Sequence, residues 1–219
     1  MDFFIRLLRI LIDYLAITTV VNIILMGAPR PRFSLACKVG KFLIKKPNRI
    51  DFQKGNQCAA FASAYVFRHW GDEKNGGDLY REITGKLRDG SVYPKGITKL
   101  FLRYGYSAKY CAGNLNALKN EVGRGNPVIV LIRSAAGERG LHFVPVVGYD
   151  EQNIFIADSV EKLANCGGAF YNRTVPASEF KRLWNTSMLK MPLYRNTYFV
   201  IRQRERNGMA TDTGRGCSG

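Results

Sequence analysis

The chain has 219 residues, 46% hydrophobic and 23% charged, which suits one globular domain of roughly 150 to 170 residues with appendages and a core that needs no disulfides. Its five cysteines, Cys37, Cys58, Cys111, Cys166 and Cys217, are odd in number and irregularly spaced. With no CxxC pair or His/Cys cluster, a disulfide framework and a structural zinc site are disfavoured against free thiols in a reducing compartment. The net charge of +16 admits a nucleic-acid partner, but no helix-turn-helix, zinc-finger or glycine-rich RNA-binding signature accompanies it, and nucleic acid is disfavoured.

Residues 1–28, MDFFIRLLRILIDYLAITTVVNIILMGA, are hydrophobic over nearly their whole length. As a helix they put Asp2, Arg6, Arg9 and Asp13 on one stripe, and Tyr14 to Ala28 carries no charge. About 20 apolar residues span a bilayer, a length reached when Ile10 to Ile12 are included. A cleaved signal peptide fits poorly, because acids lie where such a segment is simply basic. A lipoprotein box at Ser34 to Cys37 fits worse, since Arg30 and Arg32 separate it from the apolar run. The segment is expected to be a membrane anchor, spanning the bilayer or lying in its interface. The alternative is an amphipathic helix that docks on a membrane protein partner.

Residues 29–49 form a basic connector holding Arg30, Arg32, Lys38, Lys41, Lys45, Lys46 and Arg49 with no acid between Arg30 and Arg49, suited to anionic lipid headgroups. A short amphipathic piece is expected from Phe33 to Ile44. Positive charge after the apolar helix puts the rest of the chain in the cytoplasm.

A globular domain is expected over residues 50–202. Cys58 to Trp70 reads as a helix rich in Ala and aromatics, closed by Gly71. Helices follow at Asp78 to Leu87 and Thr98 to Tyr104, the second stopped by Gly105; then come a short strand at Tyr106 to Cys111 and a helix at Leu115 to Val122. Pro127 to Ile132 has the length and β-branching of a buried strand. Leu141 to Tyr149 and Asn153 to Ala157 are strands joined by a turn. Ser178 to Trp184 is a short helix with Ser178 near its cap, and Tyr194 to Arg202 is the last strand. Helices precede strands, an α+β pattern. Residues 203–219 are polar and glycine-rich, the composition of a disordered tail.

Histidine is scarce: His69 and His142 are the two in the chain. If Cys58 opens a helix, His69 lies 11 positions on, roughly 16 Å away at 1.5 Å per residue. That is too far to take a proton from the thiol, which leaves His142 as the imidazole base. His142 opens the strand HFVPVVGY, and Asp158 closes the next strand, NIFIAD. Adjacent antiparallel strands bring the start of one beside the end of the other, so a carboxylate at 158 can orient the imidazole at 142. Cys58 at a helix N-terminus facing that pair completes a nucleophile, a base and an orienter. The oxyanion needs donors: the Cys58 backbone N–H is one, and the side-chain amide of a nearby glutamine is the other. Each of the three also has a plain structural reading: a core thiol, a satisfied histidine, a turn-forming Asp.

The stretches QKGNQCAAFASAYVFRHWG, LKNEVGRGNPVIVLI, LHFVPVVGYDEQNIFIADS and SEFKRLW together resemble, in order and local pattern, the papain-like peptidases that process bacteriocins at double-glycine leaders. The resemblance covers about Phe52 to Trp184. It implies a papain-like cysteine peptidase fold with Cys58 as nucleophile, His142 as base, Asp158 as orienter and a glutamine before the cysteine in the oxyanion hole. Gln53 is preferred for that role over the adjacent Gln57. The departures are Ala59 where the family usually has Gly, Gln53 five rather than six positions ahead of Cys58, and no room in 219 residues for the transporter to which the family domain is often fused. The expected function is a membrane-associated cysteine peptidase acting on a peptide or protein without metal or organic cofactor. A catalytically silent domain that binds a leader peptide or partner, and an acyltransferase that resolves the same thioester with an amine, are the alternatives.

Overall fold

The computed structural model of the chain describes residues 2–135, 140–188, 191 and 193–203. The tail expected over residues 203–219 lies outside them, apart from Gln203 at the end of the last strand.

An apolar helix, α1 (Asp2–Met26), leads the chain. By length and composition Phe3–Met26 can cross a membrane, and its most apolar stretch has no residue buried against the rest of the protein. The elements that follow are β1 (Arg30–Arg32), β2 (Phe42–Leu43), α2 (Cys58–His69), α3 (Gly76–Glu82), α4 (Pro94–Arg103), β3 (Tyr106–Gly113), α5 (Leu115–Val122), β4 (Val128–Arg133), β5 (Leu141–Tyr149), β6 (Asn153–Ile156), β7 (Arg173–Pro176), α6 (Ala177–Trp184) and β8 (Thr197–Gln203). They build one sheet in the order β1-β3-β8-β4-β5-β6-β7, with β2 added to β5. The β1–β3 pair is parallel; the other pairs are antiparallel.

The apolar run of β4 has a two-sided explanation. Successive strand side chains point to opposite faces. Ile129 and Leu131 join the core beneath α2 and α4, with Phe67, Ile97, Leu100 and Phe101. Val128, Val130 and Ile132 join the core on the other face, with Leu118 of α5 and Phe180, Leu183 and Trp184 of α6. Helix α2 is buried along almost its whole length. Its Ala59, Ala60, Ala62 and Ala64 let the backbone lie close to the sheet, and Gly71 at φ +94 turns the chain out after it. This is the α+β arrangement that the sequence predicts.

The basic connector departs from expectation. Residues 33–44 contain no helix; they follow β1 and hold β2, both strands of the sheet. Arg32 leaves solvent partly for Glu121, a buried carboxylate that also pairs with Arg124 and, at 2.9 Å, with Arg202. Lys46 donates to the His69 carbonyl and Arg49 pairs with Asp51 and Glu73, while Arg30, Lys38, Lys41 and Lys45 stand exposed.

Smaller differences have local causes. α3 starts two residues early, where the Asn75 side chain accepts from Gly77 N–H at 2.8 Å, and stops at Glu82 instead of Leu87. α6 begins after Pro176 with no side-chain cap, so Ser178 lies inside it. β8 begins at Thr197, and β7 was not expected.

Gly113 pairs with Arg32 in the β1–β3 ladder, and a Cβ there would lie 2.0 Å from the Arg32 carbonyl oxygen. Gly113→Ala must therefore push β1 away. A destabilisation of about 1–3 kcal/mol is expected, measured by chemical denaturation of the full chain against wild type.

Candidate active site

Cys58 is the first residue of α2. The N-terminal N–H groups of a helix have no intrahelical acceptor, and Gln57, the capping residue, gives them no side-chain bond. The thiol therefore sits at the positive end of a helix dipole, 9% exposed.

Across from it, the β5–β6 hairpin gathers the other two groups. The ladder pairs Val146 with Ile156, and Ala157 N–H carries it one step further to the Pro145 carbonyl at 3.0 Å. Asp158 follows. His142 Nε2 lies 2.8 Å from Asp158 Oδ1, and both side chains are buried. Burial disfavours the charged imidazole, but the hydrogen bond with Asp158 and the proximity of the Cys58 side chain outweigh it and raise the His142 pKa to about 9. Burial also opposes the Asp158 carboxylate; His142, the Val160 N–H and Arg173 outweigh it and hold its pKa below the ordinary value. Cys58, His142 and Asp158 are thus brought together.

Two residues that the sequence reading missed fix the carboxylate. Arg173 Nη1 donates to Asp158 Oδ2 at 2.8 Å, and its Nη2 donates to the Ser134 carbonyl at 3.1 Å. The Asn172 side chain brackets the Asp158 backbone, accepting from its N–H at 2.7 Å and donating to its carbonyl at 2.8 Å. The available signal was the alternation in NRTVP, a short strand whose arginine would need a buried partner.

Gln53 hangs from the same point. Its N–H donates to the Ser159 carbonyl at 2.8 Å, and the Ser159 hydroxyl donates to its Oε1 at 2.7 Å. Its Nε2 donates to the Gly55 carbonyl at 2.5 Å, which occupies one of two protons. Gln53, Cys58 and His142 line a cavity of about 640 Å³ with Val92, Leu131, Leu141 and Leu163 among its apolar walls; Gln57 does not line it. His69 sits at the far end of α2, buried and edge-on to Trp70 at 5.0 Å. Burial, and then Lys46, lower its pKa to about 4. Cys111 is buried in the core, and Cys37 and Cys166 are partly buried.

A thiol opening a buried helix, with an imidazole and a carboxylate on the adjoining antiparallel hairpin, defines the papain-like cysteine-peptidase fold. The chain belongs to the Peptidase_C39 like family, which matches over residues 44–188. A putative C39-like peptidase from Bacillus anthracis is similar in fold at 17% identity and a TM-score of 0.58, covering 75% of this chain and 98% of that one. The peptidase domain of Streptococcus ComA, a bi-functional ABC transporter involved in quorum sensing, aligns at 14% identity and a TM-score of 0.55, covering 73% and 100%. A double glycine motif protease from an AMS/PCAT transporter, solved with its leader peptide, aligns at 16% and 0.52, covering 74% and 98%. No curated protein matches the chain in sequence.

Burial with Lys46 lowers His69 while Asp158 raises His142, so the two are expected to titrate separately and each can be followed by NMR of the ring C–H protons. The His142 midpoint is expected near pH 9 and should fall by more than one unit in Asp158→Asn, while the His69 midpoint stays put. A raised histidine pKa stabilises the fold fully below its unfolded value of 6.5, and that contribution is lost as pH rises through about 9. Breaking one side of a buried ion pair strands the other charge. Arg173→Met should cost about 3–5 kcal/mol in denaturant unfolding.

Proposed function

We propose that the chain is a membrane-anchored cysteine peptidase in which Cys58, His142 and Asp158 act as a triad. The observation that carries the reading is His142, hydrogen-bonded to Asp158 and lining one cavity with Cys58. The Cys58 Sγ attacks a peptide carbonyl as thiolate, with its proton held on His142. The tetrahedral oxyanion takes hydrogen bonds from the Cys58 backbone N–H and from the second Nε2 proton of Gln53. His142 then gives its proton to the leaving amine, leaving an acyl-thioester on Cys58. Water, deprotonated by His142, attacks that thioester, and the acid departs as the thiolate and imidazolium are restored.

An extended peptide is the substrate class that suits a cavity of this size with apolar walls and few charges. The leader peptide bound to the double glycine motif protease of this fold supports the same class. The apolar α1 and the exposed cations Arg30, Lys38, Lys41 and Lys45 support an anchored domain, with its site on the cytoplasmic side.

The test is a peptide carrying a thiol-reactive electrophile, followed by mapping of the modified cysteine. Label on Cys58 is expected, and label on Cys111 or Cys166 in its place would refute the assignment. With a cleavable peptide library read by mass spectrometry, Cys58→Ala should abolish turnover and Asp158→Asn reduce it by about 10⁴. Gln53→Ala should lose about 10²–10³ in kcat. A biological effect that survives Cys58→Ala intact would mark a silent binding domain instead.

A further inference from the structure

The last residue of the apolar helix is part of the catalytic cavity. Met26 is 6% exposed and lines that cavity with Cys58 and His142. It also lines a second cavity, of about 390 Å³, whose charged lining residues are Arg30, Lys95 and Lys109, with no carboxylate among them. Met26 thus separates a site with a thiol and an imidazole from a pocket lined with cations.

The helix cannot swing freely on a tether. Lys95 Nζ donates to the Ile24 carbonyl at 3.0 Å and the Tyr194 hydroxyl to the Gly27 carbonyl at 2.9 Å. Four residues after Met26 the chain enters β1, whose register on β3 runs from Arg30 opposite Cys111 to Arg32 opposite Gly113. The Arg32–Glu121 pair holds that strand down.

The next step rests on the membrane-anchor reading of α1. With α1 in a bilayer, hydrocarbon gives way to headgroups where charge first appears at its end. That level is set by Arg30, Lys95 and Lys109, whose exposed ammonium and guanidinium groups match anionic lipid phosphates. Met26 and Cys58 line the same cavity of about 640 Å³, on the order of 10–15 Å across if compact, which places the thiol near the helix end.

We propose that this site takes peptides held at the membrane surface. It cuts them within a few residues of the lipid boundary, and Met26 forms part of the wall that the substrate meets. A peptide free in solution, or a bond presented far above the bilayer, is a slower substrate for a cleft fixed at this height.

The test is a molecular ruler that needs no known substrate. The full chain is placed in phosphatidylglycerol-containing vesicles doped with a two-chain lipid bearing a Gly-Ser spacer that ends in a chloroacetamide. Spacers run from about three to twenty residues, and alkylation of Cys58 is mapped by mass. A spacer of about four residues reaches about 14 Å when extended. It should alkylate Cys58 at least tenfold faster than the same spacer without its lipid. Alkylation that needs spacers longer than about twelve residues, or that proceeds equally well without the lipid, overturns the proposal. Flotation of the same vesicles reads the anchor separately. A chain left at the bottom of the gradient defeats the anchor reading and this inference with it. A chain that floats but requires a long spacer defeats this inference alone.

Discussion

Burying an ionised carboxylate costs several kcal/mol unless cations and hydrogen bonds replace its water, and Asp158 is buried completely. It is held between the imidazole of His142 and the guanidinium of Arg173, with the Val160 N–H as a third donor. The β5–β6–β7 meander makes this possible. Its registers set Ile156 opposite Val146 on one side and opposite Arg173 on the other, so three neighbouring strands deliver imidazole, carboxylate and guanidinium to one place. The consequences spread outward. Ser159, next in the chain, holds both ends of Gln53, and the Gln53 loop leads directly into α2 and its thiol. A shift in Asp158 would therefore be felt by both the imidazole and the candidate oxyanion donor.

What could be read from the sequence were the elements whose pattern is local. α5 was bounded at Leu115 and Val122 by its periodicity and Gly123. α2 was placed by its alanines and by Gly71, and the β5–β6 hairpin by two β-branched runs around a turn. That hairpin was enough to pair His142 with Asp158 across sixteen positions. Two of the elements that escaped have no local signature. β1 and β2 are three and two residues long, and they are strands because β3 and β5 offer them edges, which no window of sequence contains. Arg173 escaped for a related reason: an arginine reads as solvent-facing until a buried carboxylate is known to wait for it. The end of α3 was overrun because the helical spacing continues past Glu82, while tertiary packing turns residues 83–92 into a loop closed by the Lys86–Val92 bridge.

The charge of the chain reads differently once its partners are known. A run of cations beside an apolar helix suggests a uniform lipid-facing patch, but part of that run is spent inside the protein. Arg32 goes to Glu121, Lys46 to the His69 carbonyl, and Arg49 to Asp51 and Glu73. In exchange, Lys95 and Lys109, which belong to α4 and β3 and lie far along the chain, stand with Arg30 around the end of α1. On the membrane-anchor reading, the cations that would meet lipid are those gathered by the fold at the helix exit.

That redistribution changes what the segment after α1 does. A flexible connector would let a peptidase domain sample any height above a bilayer, with a reach that grows with linker length. Here three residues separate the helix from a strand whose register is pinned by a parallel ladder and a buried carboxylate shared among three arginines. The position of the thiol relative to the apolar helix is then a property of the sheet, set by hydrogen-bond register and by Met26 packed into the core, and it does not average over linker conformations. For an anchored enzyme such rigidity trades substrate range for orientation: the entropy of aligning cleft and bilayer is lost when the domain folds, so a substrate confined to the surface does not have to supply it.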